Sequence, residues 1–375
     1  MDNIIKIHPA YFYQLAKSVY KLDIKKESRH SLLTTAHPST YNDLINVNRL
    51  FSTDPHMELY DRSMQVATPW KTKTIRPWQD PKEITLEEAV NSRVDYIASK
   101  QQRINILWSG GIDSTLVLTA FLRRPELRSQ LRIIYTPMSV KEHPVMFAHL
   151  ESLVDLEKHD ISGTVYLDLD FDGVYVNGEG GDEVAASVDD SFYAEYSDQF
   201  NSNYLDFFKA RGADSRTLEF AEQYFDFSTK PVKTVLEARW WFYLCAKLQD
   251  RTTTCYINKN GSVTMPIAFF DSHEIDSWSY YNTDKIIGSE YRTWKQPFKD
   301  YIFLYDNNED YKTHKEKFNS TQWPIYVKKQ LLLNDNRWLF ITDRLERVSL
   351  PALPFVSERE WRETYQDRFD HMFQK

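Results

Sequence analysis

Between Thr85 and about Leu156 the apolar positions change period several times. Leu86, Val90, Val94 and Ile97 recur at helical spacing, and Thr85 with Glu88 three residues on forms a capping-box pattern, so this stretch predicts an amphipathic helix. Ile104-Asn105-Ile106-Leu107-Trp108 is a short β-prone run; a glycine turn follows, and then Leu116 to Leu122 predicts a helix that stops near Pro125. Arg132 to Tyr135 predicts a further strand, Val145 to Leu156 a helix, and Val165–Leu169 and Val174–Val176 extended segments. Strands alternating with helices predict an α/β fold, a parallel sheet with helices on both faces.

The flanks are patterned differently. Residues 1 to about 80 are polar and aromatic with several prolines and no evident periodic stretch, which predicts a small N-terminal module or an irregular wrap. Past residue 190 the chain reads as mainly helical, with Val235–Leu248 the clearest helix and a surface loop over the polar stretch from about Asp306 to Asn319. These shifts divide the chain into an N-terminal module at 1–80, an α/β domain at 81–330 and a C-terminal extension at 331–375.

Composition narrows the class. A chain of 375 residues with 42% hydrophobic and 27% charged residues has enough apolar material for two cores, and a mean hydropathy of -0.56 leaves no surplus for a membrane span. The N-terminus lacks the basic start and unbroken apolar stretch of a secretory signal, which points to the cytoplasm. Cys245 and Cys255 match neither a zinc knuckle nor a disulfide framework and read as buried or incidental thiols. Net charge is -8 with no Lys/Arg run, so the overall field does not favour a nucleic-acid backbone, although a local RNA groove stays open. The abundant aromatics read as packing rather than as base-stacking platforms.

The chemistry concentrates at Ser109-Gly110-Gly111-Ile112-Asp113-Ser114-Thr115. A strand that feeds two glycines directly into a helix lets backbone N–H groups approach a polyphosphate without a Cβ in the way, and the helix N-terminus adds partial positive charge. Ser109, Ser114 and Thr115 add hydroxyl donors. A carboxylate beside phosphates repels them unless a divalent cation lies between, so Asp113 is assigned to Mg²⁺. No Gly-Lys-Ser/Thr follows at the spacing of a kinase-type P-loop.

This string resembles the Ser-Gly-Gly-x-Asp-Ser signature of the PP-loop ATP pyrophosphatases, a family that includes asparagine, β-lactam and argininosuccinate synthetases and tRNA-modifying adenylating enzymes. A second segment, Asn177-Gly178-Glu179-Gly180-Gly181-Asp182-Glu183, is similar to the Ser-Gly-Glu-Gly-Ser-Asp-Glu segment of the asparagine synthetase branch. The resemblance implies an adenine nucleotide alpha hydrolase-like fold and an ATP-dependent, AMP-forming ligase that adenylates a carboxylate and passes it to ammonia or an amine. It implies that Asp182 joins Asp113 at Mg²⁺, that Gly180 helps to hold the nucleotide, and that Glu179 sits over the acyl-adenylate. Gln249 to Thr252, Met265 to Asp271 and His314-Lys315-Glu316-Lys317-Phe318 are looser matches, the last implying Lys315 as the catalytic lysine, with Lys317, Lys295 and Lys299 as rivals. Independently of any family, two acidic groups among glycines at the end of a short strand suit contact with a metal or an amine.

The resemblance runs over about residues 85 to 320 and has departures. Gly181 replaces the family's serine, Ala185-Ala186 replace its aromatic-glycine continuation, and the interval between the two motifs is short. The glutaminase domain of glutamine-using relatives, with its cysteine at position two, has no counterpart before Cys245, so the amine is expected from free ammonia, the substrate itself or a separate partner protein. Two other functions compete: a PP-loop enzyme modifying a nucleobase or tRNA, and a non-catalytic nucleotide-binding protein. Asp168-Leu169-Asp170-Phe171-Asp172-Gly173 with Glu179 has EF-hand spacing, but β-prone residues before it and glycines after it argue for a strand with one polar face instead of a calcium loop.

Overall fold

A computed structural model describes residues 4–7, 39–51, 59, 61–63, 76–158, 172–188, 190–228, 230–248, 254–257, 263–264, 266–287, 294–315 and 339–342. Its centre is a five-stranded parallel sheet surrounded by helices. The strands are β2 (Ile104–Leu107), β3 (Leu131–Tyr135), β4 (Asp155–Lys158), β5 (Val174–Asn177) and β8 (Ile267–Ala268), in spatial order β4-β3-β2-β5-β8. The register sets Ile106 beside Ile133 on one side and Val176 on the other, so the middle strand is walled by apolar side chains.

The strand order has a consequence for ligands. From β2 the chain steps outward through β3 to β4, then returns to pair β5 with the other edge of β2. The direction of winding reverses between β2 and β5. Crossover connections of one hand then place successive helices on opposite faces on either side of that point, leaving a crevice beyond the carboxyl ends of these two strands.

The helix Leu86–Ala98 (α2) starts where the sequence predicts, with the Thr85–Glu88 capping box formed in both directions and Val90, Val94 and Ile97 buried. The helix Ile112–Leu122 (α3) leaves β2 through the glycine turn and is buried from Ser114 to Leu122, which is why its sequence shows no polar face. It packs against α2 and against the later helix Gln296–Asp306 (α13). α2 also packs on His273–Tyr281 (α11).

Two expectations need correction, and two others gain detail. Val145–Leu156 is not one helix: Pro144–Leu150 (α5) ends early and Asp155–Lys158 is the edge strand β4, whose charged side chains suit a sheet edge. The stretch from Asp306 to Asn319 is not all loop, because Glu309–His314 (α14) is a helix capped by Asn308, with Tyr311 buried beneath it. The N-terminal region holds a helix, Ser39–Phe51 (α1), whose Leu44, Val47 and Phe51 are fully buried. The predicted helix Val235–Leu248 forms as Val235–Phe242 (α10) but continues in π geometry over Tyr243–Lys247. Val165–Leu169 and Asp168–Phe171 lie outside the described residues.

The helical half of the core is aromatic. Phe51 meets Phe208, Phe225 and Phe242 at centroid distances of 5.1, 6.3 and 5.6 Å, mostly edge-on, so these rings are packing, as their scatter along the chain suggests. Cys245 is fully buried among them as a free thiol, with burial pushing its ionisation well above the ordinary range. A separate four-stranded sheet, ordered β7-β6-β1-β9, joins Ile4–Ile7 (β1), Thr254–Ile257 (β6), Val263–Thr264 (β7) and Leu339–Thr342 (β9). Among the described residues no helix is long and apolar enough to cross a membrane.

Candidate functional site

The two glycine-rich segments meet at the crevice between β2 and β5. Gly110 has φ +78°, and a Cβ there would lie 2.5 Å from the Ser139 carbonyl oxygen, so only glycine lets the loop pass under Pro137–Glu142 (α4). Gly178 comes so close to the first loop that a Cβ would sit 2.8 Å from the Ser114 amide nitrogen. Gly181 is packed onto Asp113, where a Cβ would lie 2.8 Å from the Asp113 Cβ and nearer still to its carboxylate. A serine at this place would not fit this arrangement, so Gly181 and the close seating of the two loops belong together.

Hydrogen bonds close the first loop on itself. The Ser109 and Ser114 hydroxyls lie 2.8 Å apart, Ser114 Oγ accepts from the Ser109 amide, and the Gly111 amide donates to Ser109 Oγ. Thr115 is turned inward. It is fully buried, and its hydroxyl accepts from Trp108 Nε1 and lies 3.2 Å from the Tyr311 hydroxyl, so it braces the loop from below. The amides at the start of α3 lack intrahelical acceptors by geometry, and the helix dipole lies behind them.

Asp113 and Asp182, 69 positions apart, converge on one cation position. The Lys295 ammonium occupies it, 2.7 and 2.5 Å from the two Asp113 oxygens and 2.6 Å from Asp182 Oδ1. Burial pushes the Asp113 carboxyl up to about 6, with Asp182 adding to the shift and Lys295 opposing it. Burial works against the charge on Lys295, but Asp113 and Asp182 outweigh it and hold the ammonium above its ordinary range. Lys295 itself has left-handed backbone, φ +57°, at the start of α13, a conformation costing a non-glycine residue about 1–2 kcal/mol. Two carboxylates sharing one cation position also fit Mg²⁺, which keeps water and phosphate oxygens in its remaining places. Among the described residues no group of three or more His, Cys, Asp or Glu gathers as a closed metal site.

Glu179 is exposed at the tip of the second loop, its amide donating to Asn177 Oδ1, and Gly180 takes φ +91° to start the short helix Gly181–Val184 (α6). β5 runs straight into this loop, so Glu179 follows a strand. Lys315 reaches the site from α14: its Nζ lies 2.8 Å from Glu142 Oε2, with both side chains nearly buried. Lys299 is buried too, and burial, followed by Lys315 and Lys295, lowers its proton affinity. The sequence left Lys295, Lys299 and Lys315 as rivals; in the structure all three belong to one cationic wall. Lys317 lies outside the described residues.

Three further residues had no sequence signal. Tyr311 donates to the Gly110 carbonyl oxygen at 2.8 Å and stacks on His143 at a centroid distance of 3.7 Å. Burial raises the Tyr311 hydroxyl well above its ordinary range, which keeps it a donor. His143 Nδ1 accepts from the Met146 amide, while Nε2 lies 3.0 Å from Asp306 Oδ2; burial lowers its proton affinity despite Asp306. Glu142 is the third, fixed on α4 by the Thr136–Ser139 capping box and by Ser139 Oγ donating to the Trp108 carbonyl. The chain matches no known protein-family model, and no curated protein matches it.

Proposed function

We propose that the chain is an ATP-dependent carbon–nitrogen ligase that forms AMP and pyrophosphate. One observation carries the reading: two glycine loops, two carboxylates sharing a cation position and a wall of lysines converge at the winding reversal of a parallel sheet. That is the place where open α/β sheets take nucleotides, and the donor set suits a polyphosphate better than any other anion of comparable size.

In this reading the polyphosphate lies on the amides of Gly110 to Ser114. An oxygen of the substrate carboxylate forms a bond to the α-phosphorus as the bond to the pyrophosphate oxygen breaks, giving an acyl-adenylate and pyrophosphate. Ammonia or an amine then bonds to the acyl carbon, loses a proton, and AMP departs. Lys315 lends a compact positive charge to the α-phosphate oxygens as they accumulate charge, and Glu179 stands over the acyl carbon in reach of the amine's protons. Asp113 and Asp182 would hold Mg²⁺, which would neutralise charge on pyrophosphate. The amine comes from ammonia, from the acid itself or from a donor protein.

The test is pyrophosphate release from ATP and Mg²⁺ with pooled amino acids, other small carboxylates and RNA, comparing wild type with Asp113→Ala. Release confined to one carboxylate pool and lost in the variant is the expected outcome. Silence in every pool with ATP still bound sinks the ligase, and release only with RNA moves the activity to a nucleobase-modifying enzyme.

A further inference from the structure

Glu142 sits where a carboxylate is least welcome in a polyphosphate site. A Cβ on Gly110 would lie 2.7 Å from Glu142 Cβ, and one on Gly111 would lie 3.9 Å from Glu142 Oε2, so the carboxylate lies directly against the loop. Its residue is only 7% exposed, and Oε2 takes the Lys315 ammonium at 2.8 Å. We propose that Glu142 is the positioning residue for Lys315, holding that ammonium aimed at phosphates bound on Gly110–Gly111. The proposal rests on the reading of this loop as a phosphate site.

The surroundings of Lys315 explain why such a partner is needed. Lys299 on α13 presses on it electrostatically, and Lys295 lies within the same influence on Lys299. His143, which caps α5, is also within electrostatic reach of Lys315, with burial lowering its proton affinity, and Tyr311 on its own helix presents a ring 5.8 Å from its Nζ. Asp113 and Asp182 are committed to Lys295. Glu142 is thus the carboxylate that faces Lys315 among these neighbours. A buried ammonium that loses its carboxylate is left uncompensated and turns toward solvent, which withdraws its charge from the loop. α4 thereby gains a role: it carries the Ser139 contact that shapes the loop and, one turn on, the group that aims the lysine.

Calorimetric binding of inorganic pyrophosphate with Mg²⁺ tests this without requiring turnover, using wild type, Glu142→Gln, Lys315→Met and the double variant. Glu142→Gln is expected to weaken binding about tenfold in the wild-type background and less than about twofold when Lys315 is already methionine, because the two act as one unit. Equal losses in both backgrounds mean that Glu142 only supports the loop, and they overturn the proposal, as does binding that is unchanged or tighter in Glu142→Gln. If wild type does not bind pyrophosphate, the proposal and the nucleotide reading fall together. The expected cycle without pyrophosphate release from any acid leaves Glu142 in place and removes only the ligase reading.

Discussion

At the scale of single residues, the site turns on how one carboxylate is treated. Asp113 is pressed between Gly181, the second loop and Lys295, and its carboxyl is pushed up to about 6. The unfolded chain releases this proton near the ordinary aspartate value, so between about 4 and about 6 the native state binds more protons and Asp113 makes stability fall as pH rises. Lys295 does not blur this window. Its proton affinity is raised, so its contribution is present throughout and is lost only at alkaline pH. The melting temperature of wild type relative to Asp113→Asn is therefore expected to fall from pH of about 4 to about 7 and to level off above it. A difference that stays flat or rises with pH would show that Lys295 outweighs burial at Asp113. Sequence reasoning found Asp113 because its neighbours in the chain define the motif; it left Lys295 as one lysine among several, since the pair spans 182 positions.

At the scale of elements, local signals survived and distant ones did not. Thr85 and Glu88 announce α2 because the whole device fits within one helical turn. The edge strand β4 reads as polar because its sequence, Asp-Leu-Glu-Lys, carries three charged residues in four, so the alternation that marks a half-buried strand is weak. α1 did carry a signal in Leu44, Val47 and Phe51, but Asn46 and Asn48 between them are poor helix formers and hide it. α14 was illegible for a simpler reason: six residues with one buried side chain look like loop. That side chain is what ties α14 to the nucleotide loop. Tyr311→Phe keeps the ring on His143 and removes the donor to the Gly110 carbonyl together with the hydroxyl contact to Thr115. The expected cost is about 1–2 kcal/mol in urea unfolding, with weaker ATP binding because the loop loses its brace. Unchanged ATP affinity at reduced stability would confine Tyr311 to the fold.

At the scale of the whole molecule, the parallel sheet was legible from alternation alone, while the way the flanking segments join it was not. Arg62 is fully buried, and its guanidinium donates to both oxygens of Asp276 on α11, to the Leu244 carbonyl and to the Arg76 carbonyl. Arg76 in turn bonds Asp276 at 2.6 Å and Asp271 at 2.9 Å. Trp78 packs edge-on against Trp241 at 5.0 Å. Residues 61–63 and 76–78 are thereby fastened to the helices that follow β5, and through the packing of α11 on α2 to the sheet that carries the site. Arg62, fully buried, and Arg76, partly exposed, both lean on Asp276, so Asp276→Ala leaves both charges without their main partner. The expected loss is about 3–5 kcal/mol in urea unfolding. The exposed Arg123–Glu87 pair is the control, and Glu87→Ala is expected to change stability by less than about 1 kcal/mol. Similar small losses in both variants would mean that water reaches Arg62 and that the apolar contacts, above all Trp78 on Trp241, hold these segments in place.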